Sequence, residues 1–262
     1  MRFSMISLGA LALVTAAPAM AQDETEPAPA VTVNGSATVV SDYKFRGISQ
    51  TDGNFAVQGG ITVSHESGFY VSVWGSSVDD YVTVHGTAHQ EIDLIAGFKK
   101  SFDGVTFDIG ALYYVYPGTR PGFAGDNSAS DFIEPYVSLS YAIGPVTAKA
   151  TANYAPKQKA LALDQGATGL LDKQDNLYLA GDLSTSIPNT PLALTAHLGH
   201  TFGPSWLSGP TDEYTDWALG ATATWKSLTF GVQYVDTDTF FTTPSGKNAA
   251  KGGVIGTIGV SF

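Results

Sequence analysis

The chain has 262 residues, of which 14% are charged and none is cysteine, and its formal net charge is −11. Soluble domains carry about 25% charged residues, and nucleic-acid binding calls for a basic patch that an acidic chain lacks, so no nucleic-acid partner is expected. The absence of cysteine excludes disulfide and thiolate chemistry, and a mean hydropathy of +0.05 is too low for a bundle of membrane helices.

The first segment, MRFSMISLGALALVTAAPAMA, reads as a signal peptide over residues 1–21. Arg2 supplies the positive start, an apolar run extends from Ile6 to Ala17, and Ala19-Met20-Ala21 is a small-residue cleavage site. Residues 22–30 are acidic and Pro-rich, with little to bury, and are expected to form a loose tail. Residues 31–262 then alternate apolar and polar side chains almost throughout. The alternation gives about twelve strands, near 33–46, 55–66, 68–78, 89–102, 105–116, 131–143, 145–157, 174–187, 191–202, 213–227, 228–238 and 252–262.

The connections follow a rule of their own. Tight turns at 66–68, 103–104, 144–145, 188–191 and 226–227 alternate with longer Gly-, Asp- and Ser-rich segments at 47–54, 79–88, 117–130, 158–173, 203–212 and 239–251. Short turns on one side and long loops on the other are the habit of transmembrane barrels, whereas a soluble sandwich has no reason to sort them. The expected fold is therefore all-β, a transmembrane antiparallel up-and-down barrel of about 12 strands with both termini on the periplasmic side. Side-chain parity agrees. Over 217–225, Trp217, Leu219, Ala221, Ala223 and Trp225 share one face with an aromatic at each end, as expected for headgroup-level girdles. The last strand ends on Phe262 with Val254, Ile258 and Val260 on its parity, which resembles the assembly signal of bacterial outer-membrane proteins and implies the assembly machinery as a partner.

The stretches SDYKFRGISQT (41–51), AVQGGITVSHESGFYVSVWGS (56–76) and EIDLIAGF (91–98) resemble the TorF family of putative porins. That resemblance implies an outer-membrane barrel and a pore; it implies no particular substrate, cofactor or catalytic residue.

With the apolar parity facing lipid, the polar parity faces the lumen, because Lys or Arg on the lipid side at mid-depth would cost about 2–4 kcal/mol. The expected pore-lining residues are Asp42, Lys44, Arg46, Gln58, Glu91, Asp93, Lys99, Asp108, Glu134, Lys149 and Asp182, with Glu66 and Gln233 on the same parity. Strand direction puts Asp42, Lys44, Arg46, Glu91 and Asp93 in the outer half, and Lys99, Asp108 and Lys149 lower. Gly47 onward reads as an extracellular turn centred on Asp52-Gly53. Acids such as those of TDEYTD (211–216) are assigned to outer loops, where they would attract cations bridging lipopolysaccharide.

The five histidines are His65, His85, His89, His197 and His200, and His85 and His89 near Asp79, Asp80 and Glu91 are the sole candidate for hydrolytic or metal chemistry. Their spacing fits no known motif, and no G-x-S-x-G, H-E-x-x-H, P-loop or dinucleotide fingerprint occurs. The expectation is a non-enzymatic outer-membrane channel for small hydrophilic solutes or ions, without cofactor or metal, in contact with lipid and lipopolysaccharide. A closed barrel serving as a surface scaffold and, less favoured, a barrel hydrolase are the alternatives.

Overall fold

Tight turns pin the strand register. Asp103 (φ +48°) and Gly104 (φ +81°) both adopt left-handed backbone, the two-residue turn whose twist matches that of flanking antiparallel strands. Phe102 and Val105 therefore lie opposite each other, and every inward side chain of the two strands follows from that pairing. The computed structural model describes residues 29–83, 88–119, 130–162 and 173–262. The expected signal peptide and most of the expected acidic tail lie outside them.

Twelve strands close into one antiparallel barrel: β1 (Val31–Val40), β4 (Ala56–His65), β5 (Phe69–Ser77), β6 (Gln90–Phe102), β7 (Val105–Val115), β8 (Phe132–Ile143), β9 (Val146–Gln158), β10 (Gln174–Ser186), β11 (Leu192–Phe202), β12 (Tyr214–Trp225), β13 (Leu228–Thr237) and β14 (Gly253–Ser261). Each pairs with its sequence neighbour, and β1 closes the ring by pairing with both β4 and β14. Two further strands, β2 (Lys44–Phe45) and β3 (Ile48–Ser49), form a separate hairpin. Gly35 and Phe262 exchange backbone hydrogen bonds of 2.8 and 3.0 Å, and Val31 pairs with His65 at the edge of a tight turn. Both ends of the barrel sequence thus sit at the tight-turn rim.

The outer wall is apolar. Along β8, Ile133, Val137, Leu139, Tyr141 and Ile143 are exposed, while Phe132, Glu134, Tyr136 and Ser138 between them are buried. Ten residues at about 3.4 Å each, tilted near 40°, make a band about 25 Å tall, the thickness of a barrel's hydrocarbon belt. Exposed aromatics border it on both sides: Phe69, Phe102, Tyr141 and Trp225 near the tight turns, and Phe55, Tyr154, Phe202 and Phe240 near the loops. No helix among the described residues is long and apolar enough to cross a membrane; strands alone present this belt. An apolar exterior leaves the barrel interior as the place where side chains pack. Tyr114 and Phe132 stack there with centroids 4.2 Å apart, and Leu161 and Tyr136 join the same buried cluster.

Candidate functional site

The first strand ends earlier than its alternation suggests. β1 stops at Val40, and Lys44 and Arg46 do not ride on it; they belong to the β2–β3 hairpin, which turns into the lumen. The reversal is built locally. Ser41 accepts from the Gly256 amide through Oγ and donates its own amide to the Gly256 carbonyl, both at 2.9 Å, which fixes the departure point. Asp42 then gathers the hydroxyls of Ser49 (2.5 Å) and Thr51 (2.9 Å), tying the two arms together. Arg46 (φ +47°) and Gly47 (φ +82°) form the tip. The sequence alternation misleads because both of its parities pack against protein: buried Tyr43 lies edge-on to Trp74 at 5.6 Å, and partly buried Phe45 edge-on to Tyr114 at 6.1 Å. Neither aromatic meets lipid.

The hairpin spans the lumen and touches several walls. Tyr43 donates to Glu91 on β6 (2.7 Å), and Lys44 Nζ donates to the carbonyls of Lys251 (2.5 Å) and Gly47 (3.2 Å). Arg46 Nη2 bonds Glu134 on β8 (2.7 Å), and Nη1 bonds Asn176 Oδ1 on β10 (3.2 Å). Its guanidinium also lies 4.1 Å from the Tyr178 ring centre. Arg46 is 3% exposed and Glu134 is 0% exposed, so this is an ion pair removed from water. A Cβ on Gly47 would come within 3.0 Å of both Asp216 and Thr237, and its left-handed backbone disfavours a side chain as well. Gly47→Val is therefore expected to push the tip off the β12–β13 wall. Trypsin should then cut the refolded variant after Lys44 or Arg46 while sparing the native protein; equal resistance would contradict the seating described here.

The last long loop, residues 238–252, clasps the hairpin base. Asp52 accepts from Thr243 (2.9 Å) and Ser245 (2.8 Å) and pairs with Lys247 (3.2 Å). Desolvation opposes ionisation of Asp52, but these bonds outweigh it and hold its carboxyl below the ordinary value. Tyr81 adds a hydrogen bond to the Ser49 carbonyl.

The expected lumen residues fall into two levels. Glu91, Asp93 and Glu134 lie buried at hairpin level, with Tyr116 donating to Glu91 (2.7 Å) and Tyr114 to Glu134 (3.2 Å). Nearer the tight turns, Lys99 pairs with Asp108 (3.7 Å), Lys149 is the register partner of Asp182, and these lysines, Asp182 and Gln233 are partly exposed. Gln58 is buried and donates to Ser76 (3.3 Å). Asp108 itself is buried, so in this half it is Lys99, Lys149, Asp182 and Gln233 that keep contact with water.

Several expectations need correcting. Asp42 serves the hairpin's own fold rather than the β1 face. Glu66 lies beyond the end of β4, exposed in a tight turn. Gly47 to Ser49 form the inner hairpin, not an extracellular turn; the turn begins only at Asp52-Gly53 (φ +54° and +76°). Asp216, assigned from sequence to an outer loop, is a buried inward residue of β12. His197 bridges Asp182 (2.7 Å) and Asp216 (3.1 Å) and meets the Tyr178 hydroxyl (2.9 Å). Asn153, Asn176 and Tyr178 escaped the sequence reading because attention to charges passed over neutral polar groups of the same parity. Of the hydrolytic candidates, His85 lies outside the described residues, and His89 forms an exposed pair with Asp80 (2.9 Å).

A family model for a bacterial protein of unknown function, Gcw_chp, matches residues 24–261, nearly the whole barrel and its lead-in. The chain belongs to the Gcw_chp family. No curated protein matches this Gcw_chp chain. Among solved structures, the NanC porin is similar, with a TM-score of 0.57 at 13% identity, covering 88% of this chain and 99% of the porin. The COG4313 outer membrane channel from Pseudomonas putida F1 aligns with a TM-score of 0.50 at 9% identity, covering 92% of this chain and 98% of that one. At such identities the likeness is one of fold: the Gcw_chp chain shares the closed barrel of outer-membrane channels.

Proposed function

We propose that this Gcw_chp protein is an integral outer-membrane channel for passive diffusion of small hydrophilic solutes or ions, narrowed from within by its own hairpin. The observation that carries the reading is the sorting of surfaces: a lipid-height apolar band outside, and charged groups of both signs inside. Lys99, Lys149, Asp182 and Gln233 would line the wider half of the passage, with Asp108 buried beside Lys99, and Glu91, Asp93, Glu134, Lys44 and Arg46 its constriction. A barrel used only for anchorage has no need of buried charges, which are expensive to enclose. The likeness in fold to the NanC porin and to an outer membrane channel, and the TorF resemblance of residues 41–98, point the same way. Lipid and lipopolysaccharide would surround the belt, and the strand ending in Phe262 would present the chain to the outer-membrane assembly machinery. We read the barrel as non-enzymatic, since the His89–Asp80 pair stands exposed to solvent.

The hairpin gives the closed-barrel alternative a real foothold, because it fills the lumen at its own level. Reconstitution in a planar bilayer separates the two. The channel reading expects discrete current steps and, across a salt gradient, a reversal potential favouring cations, since carboxylates exceed fixed cations at the constriction. Silence at every voltage would favour the scaffold.

A further inference from the structure

Arg46 is received by groups that the barrel wall supplies and holds in place without its help. Glu134 offers Oε1 to the guanidinium, while its Oε2 takes hydrogen bonds from Tyr114 (3.2 Å) and Asn153 (3.1 Å). Asn176 offers Oδ1, and its Nδ2 is committed to the Phe202 carbonyl (3.1 Å) and Ser205 Oγ (3.0 Å), which fixes the direction of the amide. The Tyr178 ring presents a face at 4.1 Å, with its hydroxyl held by His197 (2.9 Å) and Asp216 (3.1 Å). A carboxylate, an amide oxygen and an aromatic face are the complement of a planar, delocalised cation. They sit on β8 and β10, so the receptor is complete before the hairpin arrives.

A second observation shows that one guanidinium does not satisfy this region. Asp93, 3% exposed and within electrostatic reach of Glu91 and Glu134, has an Oδ1 with no hydrogen-bond partner. Of these three carboxylates Arg46 pairs with Glu134 alone, and buried polar atoms left unpartnered, as Asp93 Oδ1 is, are rare and costly.

We propose that the Glu134–Asn176–Tyr178 pocket, with Asp93 beside it, is a recognition site for guanidinium-bearing solutes, and that Arg46 occupies it as a tethered surrogate. A soluble guanidinium competes for the same three groups. When it wins, the hairpin tip leaves the wall and the constriction carries the solute in place of Arg46. The physiological meaning rests on the channel reading above; the binding test does not.

The test is calorimetric titration of methylguanidinium chloride into the refolded, detergent-solubilised protein. Arg46→Ala removes the tethered competitor and should bind at least tenfold more tightly than the native chain. Adding Glu134→Gln to that variant should abolish the gain, and sodium chloride at equal concentration should not reproduce the binding. Equal affinity in the native chain and Arg46→Ala, or a gain that survives Glu134→Gln, would overturn the proposal. Should Arg46→Ala not fold, Arg46→Gln removes the charge while keeping most of the side chain's length, and the same comparison applies. Because binding is read and not current, a negative result here leaves the channel reading standing, and a silent bilayer leaves this site standing.

Discussion

Glu134→Ala is expected to release the hairpin and raise the open probability of the proposed channel severalfold or more. The substitution leaves the Arg46 guanidinium in a site 3% exposed, with the Asn176 amide and the Tyr178 ring as its remaining wall contacts. Breaking a buried ion pair by removing one partner costs about 3–5 kcal/mol, which is about two to four powers of ten in the ratio of seated to unseated hairpin. Arg46 recovers its hydration by leaving, so the cost falls on the seated state alone. The barrel keeps its strand ladder, because Glu134 contributes a side chain to the lumen and its backbone pairing with Leu112 is unchanged. Single-channel recording of the variant should show a large rise in open probability, with heat-resistant migration confirming an intact barrel. An unchanged open probability in a folded barrel would mean that the contacts of Tyr43 with Glu91 and of Lys44 with Lys251, not the ion pair, hold the hairpin.

The neighbouring contacts explain why a single pair can have this leverage. Tyr43–Glu91 and the Asp52 clasp lie toward the hairpin base, while Arg46 anchors its tip. Releasing the tip leaves a tethered arm free to swing, whereas releasing the base would leave the tip still seated. Coupling between the two ends is testable by a double-mutant cycle, since contacts sharing one rigid hairpin are not additive.

How much of this was legible in the sequence depends on which force placed each residue. Alternation over Phe132–Ile143 is imposed by lipid on one side and water or protein on the other, so parity alone placed Glu134 inward. The turn at Asp103-Gly104 was equally plain, since its left-handed backbone requirement leaves a mark in the residues chosen; at Lys226-Ser227, where Lys226 is left-handed, the residues carry no such mark and only the break in alternation placed the turn. The hairpin was not legible in the same way. YKFR alternates as a lipid-facing strand does, and nothing local in those four residues says that both faces are enclosed. The deciding contacts, Arg46 with Glu134 and Asn176, join residues 88 and 130 positions apart. A signal was present nonetheless: Asp42 precedes two hydroxyls, Ser49 and Thr51, at hairpin spacing. Asp216 was missed for a different reason. Its neighbours Asp212 and Glu213 are exposed loop acids, and composition carried it along with them although its parity matches the inward Ala218.

The bilayer assignment itself makes the sharpest demand on stability, at positions that touch no other part of the protein. Leu139 lies near the middle of β8 and is 51% exposed, and Ile143 ends the same strand at the tight-turn rim, 60% exposed. In a water-soluble barrel, arginine at either position would be almost neutral, because both side chains already face solvent. In a bilayer the two sites differ by depth. Leu139→Arg places a guanidinium at mid-belt and is expected to cost about 2–4 kcal/mol, while Ile143→Arg, reaching the headgroups, is expected to cost about 0–1 kcal/mol. Urea titration of the refolded protein in lipid vesicles reads both values, and the same pair in detergent-free buffer provides the contrast. A graded loss along one strand, with exposure nearly constant, has no source other than a surrounding medium whose polarity changes with height. Equal small effects at the two positions would remove the lipid from the argument and with it the reason for an inward-facing set of charges.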